Sequence, residues 1–354
     1  MNQYNNQNPN NFQRRQMTAQ EYQKYQQQYN YMMYQAQINS AKKKQRIELI
    51  LIGVALGVTL ISYLILQSLA VLSLNLFGLS DLYDKSPMVK YAFNIVAVHL
   101  FSMMIPFGLL ALIFKKNFVS PFFPSKKVKG KDAVAWVCFG MSFCLAANIV
   151  VNMIVSISKE AFGYELSQND YGGPNDWLTC FVILISTAIV PAICEEIAFR
   201  CCTLGVLKKY GKGFAVFTVS IVFGLIHGNV IQFIFAFLIG GLLGYITIKT
   251  DNVIIAMFVH GFNNGISVLS DILTFAFNEK TANSISNGVF YLWGIAGIIS
   301  LVYLIKTKAF KSNKPKIKNP ADNSFIVKIL CLVPGLCVPF AILIWMTSFY
   351  VTKV

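Results

Sequence analysis

Charge is scarce in this chain. Only 13% of its 354 residues are Asp, Glu, Lys or Arg, against 55% hydrophobic residues and a mean hydropathy of +0.56. Such a composition excludes a soluble domain of this length and indicates a polytopic membrane protein. The formal charge is +15, but the lysines cluster beside apolar runs, where they set topology and meet anionic lipid heads. The lipid bilayer is therefore the expected partner, and nucleic acid is not. Paired cysteines are missing as well. Cys138, Cys144, Cys180, Cys194, Cys201, Cys202, Cys331 and Cys337 form no C-x-x-C, so neither a zinc ribbon nor a disulfide framework is indicated, and they read as small packing residues. No signal-peptide pattern opens the chain: residues 1–40 are rich in Gln, Asn and Tyr, and the first apolar run begins only after Lys42-Lys43-Lys44-Gln45-Arg46. The long internal repeat that marks many secondary transporters is also absent. A single domain is the simplest reading.

What is present is a series of nine apolar runs, at about 47–78, 91–114, 133–157, 177–207, 213–227, 230–248, 253–275, 288–305 and 325–350. Each is near the ~20 residues that cross a bilayer as a helix. None alternates as barrel strands do. The fold class is therefore all-α, a polytopic integral membrane helical bundle of about 8–9 transmembrane helices. Residues 1–46 read as a disordered Gln/Asn/Tyr-rich cytoplasmic tail. Residues 47–310 form the transmembrane domain, and 311–354 a basic linker with a last helix that looks like an appendage. Lysines and arginines fall at every second connection: Lys42 to Arg46; Lys115, Lys116, Lys126, Lys127, Lys129 and Lys131; Lys208, Lys209 and Lys212; and Lys306, Lys308, Lys311, Lys314, Lys316 and Lys318. The loop 158–176 carries Glu160, Glu165, Asp170 and Asp176 against Lys159 alone. The positive-inside rule then puts the N-terminus in the cytoplasm.

Ionisable groups inside these runs are few and expensive, which makes them a functional-site hypothesis. In the core, about 90–275, the short list is Glu195, Glu196, Arg200, His227 and His260, with Asn264 one turn beyond. Glu196 and Arg200 are spaced i, i+4 and can pair on one helix face. Glu195, about 100° around the helix, is left over for chemistry. Depth counted from the basic turn Lys208–Gly213 puts Glu195 and His227 both ~20 Å from that surface, and His260 ~12–16 Å from the turn at 249–252. Pro191 is expected to kink its helix and help open a water-filled cavity facing the cytoplasm. His99, alone in the second run, reads as a hydrogen-bonded packing histidine.

A Glu, two His and an Asn around a cavity suit amide hydrolysis. Glu195 with His227 would deprotonate a water, while His260 and Asn264 would donate to the oxyanion. Alternatively, Glu195, His227 and His260 would hold zinc, since two His and a carboxylate form a known catalytic set. The chain lacks H-E-x-x-H, which favours the metal-free version. A structural hydrogen-bond network or a proton path is the plainer reading of the same groups.

In order, E-E-x-x-x-R at Glu195 to Arg200, F-x-x-x-H at Phe223 to His227 and H-x-x-x-N at His260 to Asn264 resemble the CAAX-processing endopeptidase and bacteriocin-processing (CPBP, or Abi) family of intramembrane proteases, over about residues 177–275. The resemblance implies an endopeptidase of a bacterial cell membrane acting on a peptide or membrane-anchored protein. In that family's terms Glu195 activates water with His227, His260 and Asn264 bind the oxyanion, and Glu196, Arg200 and Phe223 support the site. The family has also been described as metalloproteases, and some relatives are proposed to be non-catalytic bacteriocin immunity or scaffold proteins. Those remain the alternatives.

Overall fold

In a bilayer an apolar run must satisfy its backbone internally, and helices do so. The computed structural model describes residues 18–115, 128–166, 172–311 and 320–353. Among these, eight helices are long and apolar enough to cross a membrane: α1 (Ala19–Leu76), α3 (Pro87–Ile113), α4 (Gly130–Phe162), α5 (Trp177–Tyr210), α7 (Val230–Thr250), α8 (Val253–Ala276), α9 (Glu279–Lys306) and α10 (Phe325–Ser348). A short α2 (Ser80–Lys85) follows α1, and α6 (Lys212–Leu225) stands where the fifth apolar run was read. With 14 residues, α6 rises only ~21 Å, so the turn after it sits at membrane depth. The two short strands β1 (Tyr164–Leu166) and β2 (Val351–Lys353) pair antiparallel. Part of the N-terminal tail (1–17), Asp170 and the lysines Lys116, Lys126, Lys127, Lys314, Lys316 and Lys318 lie outside the described residues.

Contacts between connections fall into two groups, one rich in lysine. At the basic end, Tyr210 Oη donates to Glu48 Oε2 at 2.6 Å, Lys249 Nζ donates to Phe310 O at 2.9 Å, and Tyr303 Oη donates to Asp132 Oδ1 at 2.8 Å. At the other end β1 meets β2, and Trp177 packs edge-on against Phe275 with ring centroids 5.4 Å apart.

Residues 19–46 are helical, where composition had suggested disorder. The physical reason is continuity. An isolated polar segment would bear the full nucleation cost of a helix, but here the turn is already set by the membrane-spanning part of α1. A capping box closes the free end: Thr18 Oγ1 accepts from Glu21 N at 3.3 Å and Glu21 Oε2 accepts from Thr18 N at 2.9 Å.

Nor is α10 an appendage. Cys331, Leu332 and Leu336 of α10 and Leu49, Ile52, Leu56 and Leu60 of α1 belong to one buried cluster with Phe199, Phe214 and Phe223. Small residues allow the approach: a Cβ on Gly53 would lie 2.7 Å from Leu332 O, and one on Gly57 or Gly335 would overlap the facing backbone outright. Lys328 Nζ, buried at the start of α10, pairs with Asp322 Oδ2 at 2.7 Å and donates to Tyr210 O at the end of α5. Gly335→Ala is accordingly expected to lower thermal stability in detergent by about 1–3 kcal/mol through overpacking. Gly108→Ala, a helical glycine with open space beside it, should match or exceed wild type in the same unfolding scan.

A second buried cluster joins α4, α7, α8 and α9 through Trp136, Met141, Leu243, Ala256 and Val259. The polar groups singled out in the sequence lie at the seam of the two clusters, with Cys194 in one and Val259 in the other.

Candidate active site

The local chemistry of α5 begins at its cap, where Asp176 accepts from Thr179 N at 2.6 Å. On either side of Pro191, where a kink is expected from sequence, α5 carries two π-helical stretches, Ile185–Ile189 and Ile197–Thr203. Proline has no N–H to donate to the carbonyl four residues back, that of Thr187. Asn264 Nδ2 of α8 donates to this oxygen at 3.0 Å. In the second stretch Thr203 Oγ1 donates to Ala198 O, five residues back, in step with the wider turn. Such stretches re-aim the side chains beyond them and recur at functional sites.

α8 comes close to α5 because both present small residues there. Gly261 faces Ala192, and Gly265 faces Ala188. This brings His260 against both glutamates. His260 Nδ1 is 2.9 Å from Glu196 Oε1, and its Nε2 is 3.8 Å from Glu195 Oε2. Glu196 also pairs with Arg200, whose Nε lies 3.1 Å from Oε2 at angles outside those of a hydrogen bond. Both charged groups are fully buried. The expected ion pair is therefore present, but Glu196 does more than hold its own helix, since it also fixes the ring of His260. The Arg200 guanidinium stacks over Phe223, 4.6 Å from the ring centroid, which offsets part of its desolvation.

Phe223 is the hub of the apolar wall. Its ring meets Phe199 at 5.0 Å, His227 at 5.1 Å and His260 at 6.0 Å, all edge to face. His227 sits in the turn between α6 and α7, and its Nδ1 lies 2.8 Å from Phe223 O. The turn reverses through Gly228 at φ +69°, a backbone conformation that disfavours side chains. Asn229 then caps α7, accepting from Gln232 N at 2.8 Å. His227 is half-buried and reaches the cluster through Phe223, whose ring it shares with His260. The structure thus gathers Glu195, Glu196, Arg200, Phe223, His227 and His260, and places Asn264 one turn on.

One residue was missed. His99, read from sequence as packing, points Nε2 at Glu195 Oε1 from 3.5 Å. It lies in a π stretch of α3, Asn94–Met103, with Nδ1 3.2 Å from Asn94 O. A signal was available: His99 precedes Lys115 by 16 residues, which is ~24 Å at helical rise and close to the depth found for Glu195.

A common pattern follows. The Nδ1 atoms of His99, His227 and His260 each face an oxygen that only accepts. Each Nδ1 therefore carries a hydrogen, and Nε2 is the working nitrogen of all three rings. Glu195 Oε2 has no hydrogen-bond partner among the described residues. No group of three or more His, Cys, Asp and Glu side chains among the described residues is arranged to hold a metal ion.

Residues 176–266 match the family model of Type II CAAX prenyl endopeptidase Rce1-like proteins. The matched stretch contains Glu195, Glu196, Arg200, Phe223, His227, His260 and Asn264, and agrees with the CPBP resemblance carried by those residues. It excludes His99. No curated protein and no solved structure matches the chain.

Proposed function

We propose, from the premise that this chain carries the domain of a CAAX-type intramembrane endopeptidase, that it hydrolyses a peptide bond by attack of a water activated by Glu195 and His227. The observation that carries this reading is Glu195 Oε2, a buried acceptor with no partner among the described residues, facing His260 Nε2 across 3.8 Å. A water there would lose its proton to this base pair as it attacks the scissile carbonyl. His260, held at Nδ1 by the Glu196 carboxylate and carrying a second proton on Nε2, would donate from Nε2 to the oxyanion, with Asn264 as the second donor. One amide hydrogen of Asn264 is spent on Thr187 O, and the other is available for this role. The protonated base then gives its proton to the leaving amine, which closes the cycle.

The basic end is assigned to the cytoplasm by the positive-inside rule, and the substrate is a peptide or membrane-anchored protein. The matched description is that of a CAAX prenyl endopeptidase, so prenylated C-a-a-X tails are the class to try first. Comparison of peptide termini in cells carrying wild type or Glu195→Gln tests this reading. New C-termini that depend on Glu195 are expected. Identical termini with intact cellular function would favour an immunity or scaffold role. We also propose that the reaction needs no metal: elemental analysis of protein purified without chelator is expected to find no stoichiometric zinc, and zinc lost in His227→Ala would overturn this.

A further inference from the structure

We infer that His99 is a positioning residue for Glu195, and that it holds Oε1 so that Oε2 is the oxygen turned to the water. The inference rests on the hydrolase reading for its consequence in turnover, but its geometry stands apart from it. His99 comes from α3, outside the stretch that matches the family.

Three observations carry it. The two side chains are 3.5 Å apart and nearly inaccessible, with 7% and 10% of their areas exposed. A carboxylate at such depth needs a partner. Second, the ring is not free to turn away, since Nδ1 is committed to Asn94 O in the same π stretch. With Nδ1 carrying its own hydrogen, Nε2 engages Glu195 through a second, shared proton. Third, α3 is fixed against α5 on both sides of this contact. Ser186 Oγ donates to Tyr91 O at 2.9 Å on one side, and Phe107 packs on Phe199 at 5.0 Å on the other.

The carboxyl group is thereby gripped between two imidazoles. His99 faces Oε1 and His260 faces Oε2, but at 3.8 Å the His260 side is the open one. Losing His99 would let the carboxylate rotate about its last bond and cost the near-attack geometry, a misplacement worth about 10²-fold in rate.

The test compares His99→Ala, His99→Gln, Glu195→Gln and the double variant His99→Ala/Glu195→Gln as detergent-purified full chains. On the peptide identified by the terminus comparison, His99→Ala is expected to lower kcat about 10²-fold with KM little changed. His99→Gln, whose amide nitrogen can donate from nearly the same place, should recover much of the loss. In thermal unfolding, the shift caused by His99→Ala should shrink when Glu195 is already Gln, the coupling expected of residues in contact. Wild-type kcat in His99→Ala beside an inactive Glu195→Gln overturns the inference and leaves the hydrolase reading standing. An active Glu195→Gln overturns the hydrolase reading, and the unfolding cycle then decides the contact alone: additive shifts reject it.

Discussion

Arg200→Ala is expected to lower the folded yield and thermal stability of the protein more than any other single substitution in the cluster. Arg200 and Glu196 show no exposed side-chain area, so neither charge has solvent to balance it and each depends on the other. Removing the guanidinium strands a carboxylate in low dielectric, a change that costs about 3–5 kcal/mol in buried pairs. It also removes the cation from the face of Phe223 and loosens the hub on which His227 and His260 rest. The charge account can be separated from packing. Arg200→Gln combined with Glu196→Gln should be more stable than Arg200→Ala alone, because no uncompensated charge remains. Thermal unfolding of the three proteins in one detergent checks this, and a double variant less stable than Arg200→Ala would refute the account.

Glu195→Gln has the opposite profile, in which turnover collapses while the fold persists. Glutamine keeps the shape but loses the charge that strengthens the His99 contact, and it cannot accept a proton from water. A positioned general base is worth about 10²–10⁴-fold, and kcat should fall by that amount with KM little changed. The amide still fills its place between His99 and His260, so the unfolding temperature should stay near that of wild type. If instead Glu195→Gln unfolds as Arg200→Ala does, Glu195 belongs to the structural network.

The helical spans were legible because hydropathy and lysine placement report on the bilayer directly. The site was legible where depth could be counted from a basic turn: Glu195 before Lys208 and His227 after Gly213 are counted to one depth, and both are linked to His260, the first across 3.8 Å and the second through Phe223. Other features depend on tertiary contacts that no local pattern carries. His99 has no polar partner one turn away, and its partner Glu195 comes from another helix. Glu196 was assigned to Arg200 by the i, i+4 rule, which is silent about His260 on α8. The π stretches leave no propensity signal, although Pro191 marks one disturbance. The docking of α10 on α1 did leave a trace, in the Gly53-x-x-x-Gly57 spacing that suits close helix approach. The helix at residues 19–46 shows how composition misleads when a polar segment continues an anchored one.

The central claim is that Glu195 and His227 act as one unit on one water, and the kcat values of Glu195→Gln, His227→Ala and the combined variant test it most directly. Residues that serve one proton transfer are strongly non-additive. The double variant is therefore predicted to be no slower than the slower single. Losses that multiply would show two independent contributions and contradict the account.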